Sequence, residues 1–239
     1  MYLTENIFII YLYYLNLKSF KMGLKRRMMM RPKVSVIIPV WNQEELITRA
    51  LESIPKRDDI EIIVINDAST DKTAEAIMNF DAWHGNKFYD FIYLKNEENR
   101  GVGYTINRGY DKAIGEYVVA LGSDDYFYTD IFEQAILSLD GTDMVYFNLR
   151  TNDGTIFELT PETKRGFCGS TKFMRREFLG DTRCPDKRAG EDYDLYMELL
   201  KKEPTEFFTN LIVKHYNFPR EGSLYDNMVK QKRENQLKK

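Results

Sequence analysis

Residues Glu116 to Phe127 read EYVVALGSDDYF. The apolar run Tyr117-Val118-Val119-Ala120-Leu121 has the length and β-branched content of a strand buried on both faces. It ends in Gly122-Ser123 and then in two adjacent acids, Asp124 and Asp125. Those acids stand at the carboxyl end of a strand, the edge at which open α/β sheets hold their ligands. Side-by-side carboxylates repel each other unless a cation or a cluster of donors balances them. A solvated turn does so with water. A divalent cation bridging to a diphosphate does so with charge. The chain on either side weighs between the two.

Upstream, the pattern is regular from Pro32. Val34 to Ile38 is a buried strand closed by Pro39, which cannot donate to a ladder. Asn42 with Glu45 three residues on reads as a helix start, and Leu46, Ile47, Ala50, Leu51 and Ile54 form its apolar stripe up to Pro55. Ile60 to Ile65 is a second buried strand. The polar loop Asn66 to Asp71 follows, then a short helix with Ala74, Ile77 and Met78 turned inward. Phe88 to Leu94 is a third strand. After the polar loop Asn96 to Gly103, a helix runs to Ala113-Ile114, with Gly115 placed to end it in the left-handed conformation. A helix from about Asp130 to Leu139 follows the acids. Four strand–helix alternations of this spacing predict a right-handed, doubly wound, nucleotide-binding unit.

The second half has a different rhythm. Met144 to Leu149 is a strand, Asn152-Asp153-Gly154 a hairpin signal and Thr155 to Leu159 its partner. Ser170 to Phe178 reads as a short helix. Glu191 to Lys202 is a clearer one, with Leu195, Leu199 and Leu200 apolar. Glu206 to Val213 is a strand, followed by a loop with Pro and Gly from Asn217 to Ser223 and a basic tail helix. The expected organisation is one fused domain over residues 32–225. Its nucleotide half spans about 32–125, its acceptor half about 126–225, and a basic tail covers 226–239.

The 239 residues are 43% hydrophobic and 30% charged, with a formal net charge of -3. That is globular composition with no charge footprint for nucleic acid. Cys168 and Cys184 are too few for a disulfide framework, and His84 and His215 are the only histidines. A structural zinc site is therefore not indicated, and a reducing compartment fits. Residues 1–31 differ from the rest: Ile7 to Leu17 is apolar and aromatic, with Lys and Arg after it rather than before it. The apolar part is shorter than the ~20 residues of a spanning helix, and the charge order is not that of a signal peptide. Three readings stand: a weak membrane contact, a disordered tail, or codons upstream of a start at Met22 or at Met28 to Met30. The last is preferred.

Four segments fall at strand ends on one sheet edge: Pro39-Val40-Trp41-Asn42, Asn66 to Asp71, Asn99-Arg100-Gly101-Val102-Gly103 and Gly122 to Asp125. With Gly190-Glu191-Asp192-Tyr193-Asp194, their order and spacing resemble the family 2 glycosyltransferases. The likeness runs from about Lys33 to Ser223, and it implies the GT-A fold, a Rossmann-like doubly wound mixed sheet flanked by helices. Each motif alone is weak; the series is specific.

The resemblance assigns roles by position. Pro39, Val40 and Asn42 match the segment along the nucleotide base. Asp67 matches the acid that accepts from a base N–H, a role suited to an acceptor-only carboxylate; the alternative is a cap on the Asn66 to Asp71 turn. Arg100 is placed to reach the diphosphate with its guanidinium fork, or to lie solvated in its loop. Arg108 reads as structural. The family's Asp-x-Asp falls on Gly122-Ser123-Asp124, so Asp124 is the implied ligand of Mg²⁺ or Mn²⁺, with Asp125 as an added acid. Gly122 replaces the acid that commonly contacts ribose, leaving that contact to Ser123 or Asp125. Asp192 matches the catalytic base, which deprotonates an acceptor hydroxyl in one inverting displacement. His215, Arg220 and Ser223 match a lid over the diphosphate. Phe167, Cys168 and Gly169 match the acceptor side, and Trp41 and Trp83 read as packing residues, with sugar stacking left open for Trp41 beside the base-binding segment.

The Gln-x-x-Arg-Trp sequence of processive synthases is missing, which points to transfer of a single sugar. The implied partners are a nucleotide-sugar donor, UDP-linked by expectation, and a glycan or lipid-linked acceptor in surface polysaccharide or lipopolysaccharide synthesis. The implied place is the cytoplasm, with the inner membrane face as an option. Two rivals remain. A nucleotide-sugar synthase of the same broad fold needs a Gly-rich loop after the first strand, and Val40 to Glu45 contains no glycine. A binding module without catalysis is suggested by Gly122 and opposed by Asp67, Asp124 and Asp192.

Overall fold

The computed structural model describes residues 31–166, 169–187 and 189–219. The apolar runs become the middle of one nine-stranded sheet. Strands β1 (Val34–Val40), β2 (Ile60–Asn66), β3 (Asp90–Lys95) and β4 (Tyr117–Ala120) are parallel, in the spatial order β3-β2-β1-β4. Between them run helices α1 (Ile47–Glu52), α2 (Thr73–His84) and α3 (Val102–Lys112). After β5 (Tyr126–Phe127) and helix α4 (Thr129–Leu137), the sheet continues through β6 (Met144–Thr151), β7 (Ile156–Phe157) and β8 (Lys172–Arg175). Helices α5 (Arg176–Leu179) and α6 (Glu191–Leu200) then lead to the long β9 (Glu206–Tyr216). Strand β8 pairs antiparallel with both β4 and β6, and β9 lies parallel to β6 and antiparallel to β5. The sheet is mixed, as the GT-A expectation requires.

The continuous apolar strands have a simple cause, since both faces of the sheet are covered. On one face Val36, Ile38, Ile62 and Val64 pack with Leu51, Ile77, Phe80 and Phe132 from α1, α2 and α4. On the other, Ile37, Ile63 and Ile65 pack with Tyr110 of α3 and with Leu195 and Tyr196 of α6. Each fully buried Ile or Val contributes about 1.5–3 kcal/mol relative to exposure. These helices carry the strand-end loops to one edge.

Several local expectations change. The first helix starts at Ile47, behind an N-cap, Leu46, that makes no side-chain cap bond. Asn42 has φ 50° and caps another loop: its Oδ1 accepts the N–H of Thr70 at 2.9 Å, and its own N–H donates to Ser69 Oγ at 3.0 Å. Met78 is 57% exposed, and Phe80 takes the inward place expected of it. Trp41 and Trp83, expected to pack, are 52% and 77% exposed. The segment expected as a helix from Ser170 to Phe178 is strand β8 followed by the short α5. Two antiparallel neighbours recruit Lys172 to Arg175 into the sheet, which outweighs a local helical pattern. Gly115 is not left-handed. It is glycine because a Cβ there would lie 2.6 Å from Ser35 Oγ and 2.7 Å from Ser35 N. The final strand runs three residues past Val213, so His215 lies in β9 opposite Tyr126 rather than in a lid loop. The expectations for residues 1–30, Phe167, Cys168, Arg220, Ser223 and the basic tail lie outside the described residues.

Candidate active site

The acidic loop leaves β4 with Leu121, whose N–H donates to Ile37 O at 2.9 Å, and turns tightly as the Asp125 N–H donates to Gly122 O at 3.0 Å. A Cβ on Gly122 would lie 2.8 Å from Asp125 Oδ2 and 3.1 Å from Asp124 Oδ1. The space that an acid at 122 would need is taken by the two carboxylates that follow. Asp125, expected to share a metal, is 3% exposed and has both oxygens committed to the fold. Oδ2 accepts from Lys214 Nζ at 3.1 Å and Oδ1 from the N–H of Asn217 at 2.9 Å. Asp124 is half-buried, and its carbonyl accepts from Arg49 Nη2 at 2.6 Å. Arg49 stacks on Tyr126, 4.9 Å from the ring centre, and His215 is stacked on the same ring at 4.5 Å. Burial, and then the Arg49 cation, push the His215 pKa below its usual value.

Asp67 lies just past β2 and is 3% exposed. Its Oδ1 accepts from Asn96 Nδ2 at 2.6 Å and from the Arg100 N–H at 2.9 Å, and its Oδ2 accepts the Gly101 N–H at 2.8 Å. Asp67 thereby shapes the loop that starts α3 at Gly101, where φ is +86°. A carboxylate has about four acceptor positions, so one remains for a ligand donor. Arg108 secures the same network from below, donating to Lys95 O at 3.0 Å and to Asn96 Oδ1. That is the structural role read for it. The Arg100 guanidinium is exposed over the Tyr104 ring, at 3.9 Å from Glu98 and 3.7 Å from Asp186.

A cavity of about 250 Å³ lies between the halves, bordered by Pro39 and Gly122 on one side and by Gly169, Ser170, Glu191 and Asp192 on the other. Asp192 is exposed in the first turn of α6, and a Cβ on Gly169 would lie 3.1 Å from its Oδ2. Glu191 is 7% exposed, and its Oε2 has no hydrogen-bond partner. Burial raises its pKa above the usual glutamate value. Burial, and then the Glu191 charge, push the nearby Cys184 thiol up to about 12, so this cysteine is not a nucleophile at neutral pH. The loop carrying Cys184 is pinned to α3 by Asn107, whose amide donates to Cys184 O at 2.8 Å and accepts from its N–H at 2.9 Å.

The structure thus brings Pro39, Gly122 at the head of the acidic loop and Asp192 to one cavity, whose lining does not include Asp67, Arg100, Ser123, Asp124 or Asp125. Val40 is 2% exposed, and its carbonyl accepts the Asp67 N–H at 2.8 Å; Ser123 is 7% exposed within the acidic loop. Lys214, Asn96 and Arg49 were not singled out from sequence. Lys214 carried the one usable signal, a lysine beside apolar Ile212-Val213 in a strand. Ending that strand at Val213 concealed it.

The comparisons agree with this fold. A family model described as glycosyl transferase family 2 matches residues 35–200. The chain belongs to the family 2 glycosyltransferases. The Bacillus subtilis protein EpsH is 35% identical over 120 residues, covering 49% of this chain and 33% of its own length. The GalNAc(5)-diNAcBac-PP-undecaprenol beta-1,3-glucosyltransferase of Campylobacter jejuni is 27% identical over 201 residues, covering 81% of this chain and 62% of its own. The chain therefore spans between a third and two thirds of these two relatives. The crystal structure of S. aureus TarS 1-349 in complex with UDP-GlcNAc superposes with a TM-score of 0.69 at 25% identity, covering 80% of this chain and 60% of that one.

Proposed function

We propose that this protein transfers one sugar from a nucleotide-sugar, UDP-linked, to an acceptor hydroxyl on a surface glycan or lipid-linked oligosaccharide, with inversion and with the help of Mg²⁺ or Mn²⁺. The observation that carries this reading is the shared cavity, bordered by Pro39 and by Gly122 at the head of the acidic loop on one side and by Asp192 on the other. The base sits along Pro39 and Val40, with Asn42 bracing the neighbouring loop and Asp67 offering its remaining acceptor position to a ring N–H. Ser123 and Arg100 lie toward the ribose and diphosphate. The Arg100 surface pairs are weak enough for a phosphate to displace. Arg220 is kept as a lid contact on the family likeness alone.

The donor set suits a hard divalent ion. Asp125 is held by Lys214 and the Asn217 N–H, and on the family likeness Asp124 would be the protein ligand. Diphosphate and water oxygens would complete its shell, as Mg²⁺ sites commonly arrange. When bound, the ion supplies charge neutralisation for the leaving diphosphate. Asp192 takes the acceptor proton as the hydroxyl attacks the anomeric carbon. One carboxylate is enough for a single displacement, and no paired nucleophile is needed. A lipid-linked acceptor would place the work at a membrane surface. No helix among the described residues is long and apolar enough to cross one.

Titration calorimetry with UDP tests the donor side. Mn²⁺ is expected to tighten UDP binding, and Asp124→Ala to abolish that gain while leaving metal-free binding in place. Equal affinity in Mn²⁺ and in chelator would remove the metal from the reading. A screen of UDP-sugars with cell-envelope extracts, read as UDP release, identifies donor and acceptor.

A further inference from the structure

Lys214 is a buried cation that the proposed chemistry leaves unused. It lies in β9 opposite Phe127 and is 2% exposed. Its ammonium donates to Asp125 Oδ2 at 3.1 Å and to Ser170 Oγ at 2.5 Å, and it lies 5.2 Å from the centre of the Tyr216 ring. These partners belong to different walls of the site. Asp125 follows the proposed metal ligand. Ser170 follows Gly169, which abuts Asp192, and both line the cavity. Asn217, three residues past Lys214, closes the other Asp125 oxygen with its N–H.

Stability alone explains this arrangement poorly. Desolvating an ammonium and a carboxylate is costly, and apolar pairs of similar volume often hold strands together as well or better. An ion pair fixes something an apolar contact does not, namely direction and distance at three named atoms. We propose that Lys214 is a positioning residue that sets the spacing between the acidic loop, which faces the diphosphate, and the Gly169-Ser170 segment, which faces Asp192 and the acceptor. This rests on the transferase reading above. In-line displacement needs donor and acceptor aligned, and a misplacement of about 1 Å costs about a hundredfold in rate.

Lys214→Met by itself strands the Asp125 charge in the interior, so the test uses Ser170→Ala and the neutral pair Lys214→Met/Asp125→Asn. The full chain is assayed in Mn²⁺ for UDP affinity by calorimetry and for turnover of UDP-glucose and UDP-N-acetylglucosamine, with cell-envelope extract as the acceptor source, by UDP release. Ser170→Ala is expected to keep wild-type UDP affinity while kcat falls by about tenfold to a hundredfold. The neutral pair is expected to keep Mn²⁺-dependent UDP binding and to show the same loss of kcat. Adding Ser170→Ala to it should cost almost nothing more, because the two changes break one tether. Wild-type kcat in the neutral pair would show the ion pair to be purely structural and overturn the proposal. Loss of the Mn²⁺ dependence in the neutral pair would make Asp125 a metal ligand and overturn it too. A wild-type chain that binds no UDP and turns over neither donor would sink the transferase reading instead, and this inference with it.

Discussion

Asp124 and Asp125 are chemically identical neighbours with different fates. Asp125 is claimed on both oxygens, by Lys214 and the Asn217 N–H, whereas Asp124 is half-buried. Gly122 belongs to the same arrangement. It looks like a lost acid in the sequence, but its missing side chain is the room into which the two carboxylates fold back. Asp192 carries the sharpest residue-scale prediction. Asp192→Asn should bind UDP as the wild type does while kcat for transfer falls about 10²–10⁴-fold, the range for a lost general base. Near wild-type transfer would remove Asp192 as the base. Glu61 is a second case in which burial sets behaviour. It is 1% exposed in β2, with Oε2 accepting from Ser35 Oγ at 2.5 Å and from the Ile114 N–H at 3.1 Å. Burial raises its pKa, against the pull of those two donors. The native state therefore keeps a proton that the unfolded chain releases near its ordinary value of about 4.3. The stability tied to that proton is complete below this value and is lost as pH rises through the folded pKa. Glu61→Gln should thus gain on the wild type as pH goes from 4 to 8 in denaturant melts; a constant difference would contradict it.

At the scale of elements, α3 is the piece that joins fold to site. Its first turn is shaped by Asp67, its Asn107 pins the Cys184 loop, and its Gly109 lets it sit directly on the sheet. A Cβ at Gly109 would lie 2.3 Å from Ile37 Cγ2 and 3.0 Å from Ile65 Cδ1. Gly109→Ala should therefore destabilise despite the better helix propensity of alanine, by about 1–3 kcal/mol for overpacking, read as a lower denaturation midpoint. An unchanged or higher midpoint would mean that α3 is free to lift. Elements with strong local signals were legible in advance: the four parallel strands, α2 to α4, α6 and the Asn152-Asp153-Gly154 hairpin. Strand β8 was not. Ser170 to Phe178 carries a local pattern compatible with a helix, and only pairing with β4 and β6 makes its first half a strand.

For the whole molecule, the two halves share one sheet, since β8 joins β4 to β6 and β9 closes back on β5. A ligand seated between them should stabilise the entire fold. UDP with Mn²⁺ at a hundred times its Kd adds about 2.7 kcal/mol. At about 2–4 °C per kcal/mol for a domain of this size, Tm should rise by about 5–10 °C. Chelator should remove the metal-dependent share, and a Tm indifferent to UDP and Mn²⁺ together would place the ligand elsewhere.

The sequence by itself determined the class of fold and the four strand-end motifs that share one edge of its sheet. These follow from apolar periodicity and from local turn and motif chemistry, which act over a few residues. Only the tertiary structure decided that Lys214 and Asn217 hold Asp125, why Gly115 is glycine, and that Lys214 links Asp125 to Ser170. Those outcomes depend on contacts between residues 44 to 92 positions apart or on the close approach of backbones. No local pattern encodes such contacts, because the partners meet only after the sheet has closed.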